Sequence, residues 1–337
     1  MSDGINALTL LANFIIVPGL TYGSQLALGA LGVTLVYGIL RFSNFGHGET
    51  MSFGAMVTIL ATWGFQYLGV SISPLPTALL ALPIGIIGTI ILTLAIDKTV
   101  YRYHRESKAN PVVFLIVSIG IMFFLGGLIR FIIGPADQIF FDGTRFILKA
   151  QEFKELTGLE EGLSIKTTQG ITIFIALIVV SGIFWFLKST RTGKSMRAYS
   201  DNESLALLSG IDPNRVVFIT WVIVAALATI AGTLYGLDKS YKPFVYMQLL
   251  LPIFASAIVG GVGNPLGAIA GGYVIAFSEL VVTFAYKKVI LYLSPKGTEI
   301  ESLIQFLGTD YKIAVSFIIL VIVLIIKPTG IFSGKTI

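Results

Sequence analysis

The stretch GINALTLLANFIIVPGLTYGSQLALGALGVTLVYGIL, residues 4–40, carries no charged side chain along its 37 residues. A helix needs about 20 mostly apolar residues to cross roughly 30 Å of hydrocarbon. As one helix this run would extend about 55 Å, too long for a single crossing. Pro18-Gly19 offers the expected break inside it. Further apolar runs follow at 51–70, 71–96, 109–129, 167–187, 216–237 and 243–278. The run 313–326 is shorter, but Lys312 and Lys327 can snorkel to the two interfaces and complete a span. Residues 243–278 are overlong too, and Gly260-Gly261-Val262-Gly263-Asn264-Pro265 interrupts them. These runs predict an all-α, polytopic membrane helix bundle: one transmembrane domain over 1–337, eight to ten spans, some of them interrupted helices.

Composition supports that expectation. Charged residues are 12% of the chain, against roughly 25% in soluble domains. Hydrophobic residues are 55%, which excludes disorder as well as a pair of soluble domains. No cysteine is present, so disulfides, thiolate nucleophiles and Cys-ligated metals are excluded. His47 and His104 alone do not make a His-rich metal site. The net charge of +5 suits basic loops on an anionic lipid leaflet better than nucleic acid. Met1-Ser2-Asp3 puts no Lys or Arg ahead of the first apolar run, so it does not read as a cleavable signal peptide.

Basic residues set the expected orientation. Lys98, Arg102, Arg105 and Lys108 crowd into one loop, whereas the turn at 69–76 carries no charge. That density places 41–49, 98–108, 188–215 and the C-terminus in the cytoplasm. Residues 134–168 then form an outer loop. The cytoplasmic loop 188–212 has local signals of its own. Asp201 or Asn202 can cap a short helix that carries Glu203 in its first turn. Leu205, Ala206 and Leu208 give that helix an apolar side; Gly210 suits a left-handed C-cap with Ile211 packing back. Asp212-Pro213 then opens the next span as cap and first residue. Such a helix either docks a partner or lies on lipid.

The chain lacks a phosphate cradle. Gly193-Lys194-Ser195 and Gly334-Lys335-Thr336 echo the end of a P-loop, but Lys188 and Thr329 stand where its first glycine is needed. If ATP drives transport here, another polypeptide hydrolyses it, and this chain needs no cofactor. The polar stretch 41–50 holds Asn44, His47 and Glu49 between two apolar runs. The plainer expectation is a cytoplasmic helix–helix turn whose polar groups cap helix ends; the alternative is a proton relay of His47 and Glu49. Glu279 is the lone acid of its run, and Arg130 ends another; each either faces a cavity or snorkels. Small residues in Gly260–Gly272 suit close helix packing or an interrupted helix lining a passage. The two overlong runs, one in each half of the chain, also suit inverted repeats.

Several motifs resemble the permease subunit of bacterial ABC importers for branched-chain amino acids. Gly19-Leu-Thr-Tyr-Gly-Ser-Gln-Leu-Ala-Leu and Leu35-Val-Tyr-Gly-Ile-Leu-Arg-Phe-Ser-Asn-Phe-Gly-His-Gly-Glu49 resemble its first segment, with Gly46 where alanine is usual. Val100-Tyr-Arg-Tyr-His-Arg105 resembles its basic loop, with Tyr103 where proline is usual. Arg191-Thr-Gly193-Lys-Ser-Met-Arg197-Ala198, then Asn202-Glu203, Ala206 and Gly210-Ile211, resemble the loop that docks on the ATPases. Val259-Gly-Gly-Val-Gly-Asn-Pro-Leu-Gly-Ala268 and Lys327-Pro-Thr-Gly-Ile331 resemble the late motifs, and the polar insert 294–310 is longer than usual. The resemblance implies an inner-membrane importer: a second homologous permease, two ABC ATPases holding ATP and magnesium, and an extracytoplasmic solute-binding protein. It also implies that 191–210 is the ATPase-coupling loop. Urea and short-amide permeases share these motifs. Outside this family, an ion-coupled secondary carrier would use Glu49, Glu279 and the broken helices directly, and a membrane scaffold subunit would carry nothing.

Overall fold

The computed structural model describes residues 2–295, 302–327 and 329–332. Gly334-Lys335-Thr336, residues 296–301 of the polar insert and Pro328 of the last motif lie outside them. Helices dominate, because hydrocarbon offers the backbone no hydrogen-bond partners.

The chain starts in α1 (Ser2–Leu11), which passes through a π turn at Ala12–Ile16 into α2 (Val17–Leu40). The break expected at Pro18-Gly19 is absent, and Asp3–Leu40 is one 38-residue helix. Proline lacks an N–H and clashes with the carbonyl four residues back. The wider π turn just before Pro18 relieves that clash, so the helix continues.

After residues 41–46 comes α3 (His47–Tyr67). Next, α4 (Ala78–Ile96) runs through a second π turn, Asp97–Tyr101, into α5 (Arg102–Glu106), followed by α6 (Pro111–Ile133). The segment 134–166 holds β1 (Phe146–Leu148), α7 (Ala150–Thr157) and β2 (Ile165–Lys166), the two strands antiparallel. Then come α8 (Thr167–Ser189), the short α9 (Arg191–Asp201) and α10 (Glu203–Leu208), and α11 (Pro213–Lys239). Last are α12 (Pro243–Gly260), α13 (Pro265–Thr283), α14 (Lys287–Leu293) and α15 (Lys312–Ile326). Among the described residues, eight helices are long and apolar enough to cross a membrane. Helix α3 has the length, at 21 residues, but is more polar, and α4, α11, α12 and α6 pack against it.

The loops sort to two ends. At one end Arg41 donates to the Ser200 carbonyl, and Gly261 packs against the backbone of Thr329 and Phe332. At the other, Asp142 accepts from Gln66 and the Thr77 amide, Gln138 pairs with Tyr241, and Asn6 accepts from the Glu161 amide. Residues 134–166 lie at the second end. The bundle is built around α2, whose residues from Thr21 to Val36 are all buried. Close approach comes from small residues: a Cβ on Gly272 would sit 2.7 Å from the Ala27 amide nitrogen, and one on Gly232 would sit 2.3 Å from the Met51 carbonyl. Buried hydroxyls link neighbouring spans, with Thr229 bonded to Thr89 at 2.8 Å and Ser52 to Tyr241 at 2.9 Å.

Candidate functional site

Residues 41–46 leave the end of α2 and pass into the bundle. Arg41 closes α2 in the left-handed region, at φ 59°. Phe42 is buried between Tyr101 and Phe114, each 5.1 Å away between ring centroids. The Phe45 amide donates to Ser118 Oγ at 3.1 Å. His47 then packs on Gly32, where a Cβ would stand 2.5 Å from its ring. Gly32 lies eight residues before the end of α2, about 12 Å along the axis. The helix–helix turn expected on the cytoplasmic surface is therefore corrected: only its first residue is at the surface. Non-helical backbone is stable at this depth because protein surrounds it.

Within this segment Asn44 is the organiser. Its Oδ1 accepts from the Gly46 amide at 3.0 Å and from the Tyr101 hydroxyl at 3.2 Å. Tyr101 stacks on Trp221 at 5.4 Å. The Trp221 indole donates to Asp97 Oδ1 at 2.8 Å, and Arg105 grips both Asp97 oxygens at 2.9 and 3.2 Å. An ion pair, hydrogen bonds and one ring stack thus connect the surface loop to the buried segment. Tyr101, Trp221, Asp97 and Ser118 were missed in the sequence reading, because nothing local pairs residues so far apart. His47 and Glu49 are both buried. Neither His47 nitrogen nor Glu49 Oε2 has a hydrogen-bond partner among the described residues. They share α3 but no hydrogen bond links them. Across Gly126, Glu49 Oε1 faces Arg130, whose guanidinium lies 4.6 Å over the Phe244 ring.

The loop at the same end folds as two helices rather than one. Thr190 caps α9 through the Gly193 amide. Gly193 is needed there, since a Cβ would meet the Phe186 carbonyl at 2.2 Å. Asn202, not Asp201, caps α10 by accepting from the Leu205 amide at 3.0 Å, and Glu203 in its first turn binds the Tyr199 hydroxyl at 2.7 Å. Burial, and Glu203 beside it, push that hydroxyl above its ordinary range. Gly210 takes φ +78°, the Ile211 amide reaches the Ala206 carbonyl, and Asp212 caps α11 by accepting from the Asn214 amide, with Pro213 as the first residue. The apolar side is divided differently from expectation. Ala206 is 3% exposed, packed with Ile39, Met196, Tyr199 and Val216 of its own chain. Leu205 and Leu208 point outward, 61% and 84% exposed. A charge at 206 would disrupt α9–α10 packing before it reached any partner. Arg197 has a buried Nε without a partner among the described residues, beside Gly38 and Ser200, and Ala198 and Arg191 complete α9.

The glycine-rich break forms a tight hairpin between α12 and α13. Gly261 and Gly263 take φ +111° and +85°, Asn264 caps α13 through the Gly267 amide at 3.2 Å, and Pro265 is its first residue. Gly260 packs so closely that a Cβ would fall 1.9 Å from the Gly267 carbonyl. The late motif closes over this hairpin: the Ile331 amide donates to Val259 at 2.8 Å. At the opposite end Glu279, 1% exposed, meets Lys312 at 3.3 Å. Lys312, expected to snorkel outward, instead turns inward over the Tyr22 ring at 3.8 Å. Two lone charges in apolar spans were the available signal for that pair. The sequence-predicted residues thus fall into four separate groups and not one pocket.

The family described as "Branched-chain amino acid transport system / permease component" matches residues 15–324. The high-affinity branched-chain amino acid transport system permease protein LivH of Salmonella typhimurium is 30% identical, covering 94% of this chain and 93% of its own. BraD of Pseudomonas aeruginosa, named in the same words, is 29% identical with 94% of each covered. Among solved structures, PsaBC from Streptococcus pneumoniae in complex with Fab aligns over 98% of this chain and 96% of that one, at 13% identity and a TM-score of 0.46.

Proposed function

The chain belongs to the family of branched-chain amino acid permease components, and from that membership we propose that it carries branched-chain or other small amino acids across a bacterial inner membrane, as one permease of an ATP-driven importer. In this reading a second homologous permease sits beside it, two ABC ATPases bind ATP and magnesium and hydrolyse the nucleotide, and an extracytoplasmic binding protein delivers the solute. The chain is the transport subunit and binds no cofactor of its own. Residues 1–337 act as one domain, with 134–168 outside and 188–212 in the cytoplasm.

The observation that carries the ATPase docking is the α9–α10 surface. Leu205 and Leu208 present an apolar face on a helix fixed from beneath by Ala206, Tyr199 and Met196. Arg41, bound to the Ser200 carbonyl, links that surface to the buried segment at 41–46. Push or pull on α9 is thereby transmitted to Asn44, His47 and Glu49, and from them to the spans. Gly260, Gly261, Gly263, Asn264 and Pro265 serve this reading as a rigid hairpin behind α2, and Glu279 as part of the path.

Leu208→Arg tests the docking without touching the chain's own core. Burying an unpaired charge costs several kcal/mol, and a loss of about 3 kcal/mol is over a hundredfold in association. The expected result is normal insertion, lost co-purification with the ATPase subunits and lost uptake in proteoliposomes. Retained partner and retained uptake mean that α10 lies on lipid, where the guanidinium snorkels at little cost.

A further inference from the structure

We propose that the cavity between the outer ends of α2, α11, α12, α13 and α15 is a transit site for a zwitterionic α-amino acid, with Lys312 taking the carboxylate and Glu279 the ammonium. The inference rests on the permease reading above and adds to it where the solute is held. The cavity measures about 230 Å³, below the roughly 300–1,000 Å³ of sites for drug-sized ligands. It holds one small solute. One wall is apolar: Val245, Leu249 and Pro252 line it from a single face of α12, spaced four and three residues apart.

The opposite wall carries both charges. Lys312 Nζ lies 3.3 Å from Glu279 Oε2 and offsets its charge. The other Glu279 oxygen is occupied by the Ser316 hydroxyl, which fixes the carboxylate in place. The Lys312 ammonium, 3.8 Å above Tyr22, has donors to spare. Gln248, one turn before Pro252 on the same helix, also lines the cavity. Lys239 and Asp310 stand at the same cavity, one of each sign. A zwitterion enters such a site without changing its net charge. A monoamine or a monocarboxylate would leave one buried ion unbalanced, which is costly.

The test uses the assembled importer without its binding protein, in equilibrium dialysis against radiolabelled leucine. Isopentylamine and 4-methylpentanoate, each lacking one of leucine's charged groups, serve as competitors. The expected result is saturable retention of leucine that neither competitor displaces. Lys312→Met weakens it about tenfold, as one lost charge-assisted contact does, and Lys312→Arg restores most of it. An ion pair that only holds α15 in place predicts lower thermal stability in Lys312→Met with an unchanged leucine dissociation constant, which overturns the site. Displacement by either single-charge analogue as effective as by leucine overturns it in the unaltered protein, whatever the variants do. An importer that takes up leucine with its binding protein present, yet retains none without it, overturns the site alone. An importer that takes up no branched-chain amino acid overturns the permease reading, and the site with it.

Discussion

The two connections flanking α3 reverse what their compositions suggest. Residues 41–46 include an arginine, a serine and an asparagine, yet they run into the bundle and bury Phe42 and Asn44. Residues 68–77 carry no charge and include Leu68, Val70, Ile72 and Leu75, yet they lie at the surface, with Leu68 73% exposed. The polarity of a connection therefore does not set its depth. What sets it is where in the bundle its distant partners lie. For the first connection those partners lie inside the bundle: Ser118 bonds the Phe45 amide, Tyr101 the Asn44 side chain, and Gly32 packs on the His47 ring. For the second they lie at the surface, where Asp142 binds the Thr77 amide at 2.7 Å and the Gly143 region packs on Pro74.

The largest effect is expected at Asn44. Asn44→Ala orphans the Gly46 amide and the Tyr101 hydroxyl at depth, at about 1–3 kcal/mol for each buried group left unpaired. Thermal unfolding of the purified protein in nanodiscs measures it, with Ser71→Ala in the other connection expected within about 0.5 kcal/mol of wild type. Equal losses at the two positions would break the comparison. Asp97→Asn comes next. It removes the charge that Arg105 grips while leaving an acceptor for Trp221, and is expected to cost about 1.5–3 kcal/mol, with uptake falling as the surface loop detaches from Tyr101.

Tyr101→Phe sharpens the same point at a smaller scale. The ring stack on Trp221 stays and one hydroxyl is lost, for about 1 kcal/mol; a loss as large as that of Asn44→Ala would mean that Asn44 acts through Tyr101 alone. The smallest effect belongs to the outer connection and is read in pH. Burial alone would raise the Asp142 carboxyl, but hydrogen bonds from Thr77 and Gln66 outweigh it and hold the group below its ordinary range. A depressed folded value means that its stabilisation is complete above the unfolded value of about 3.9 and fades as pH falls through the folded one. Wild type and Asp142→Asn are expected to show parallel melting temperatures from pH 7 to pH 5. Below about pH 4 only wild type loses the contribution of this group. Divergence already at pH 6 would contradict the assignment.

Much of the fold was legible because membrane spans announce themselves by lacking charge. The caps at Asn202, Gly210 and Asp212 were legible because capping is chemistry within three residues. What escaped depends on partners far along the chain. The depth of 41–46 requires Ser118 and Tyr101, which no spacing rule connects to Asn44. Ala206 and Leu208 are equally apolar in a list, and only Met196 and Val216 decide which of them turns inward. Pro18 was overread as a break, since a π turn absorbs its cost. Lys312 was read alone as a snorkelling residue, and its pairing with Glu279 spans 33 positions.

The central claim, that α10 is a cytoplasmic docking surface for an ATPase on a membrane permease, is tested most directly by a single thiol. The chain has no native cysteine, so Leu208→Cys reports alone. The account predicts labelling by an impermeant maleimide only from the cytoplasmic side, rapid in the isolated chain and strongly slowed once the ATPase subunits are bound. Labelling from the outside, or an unchanged rate in the assembled complex, would contradict it.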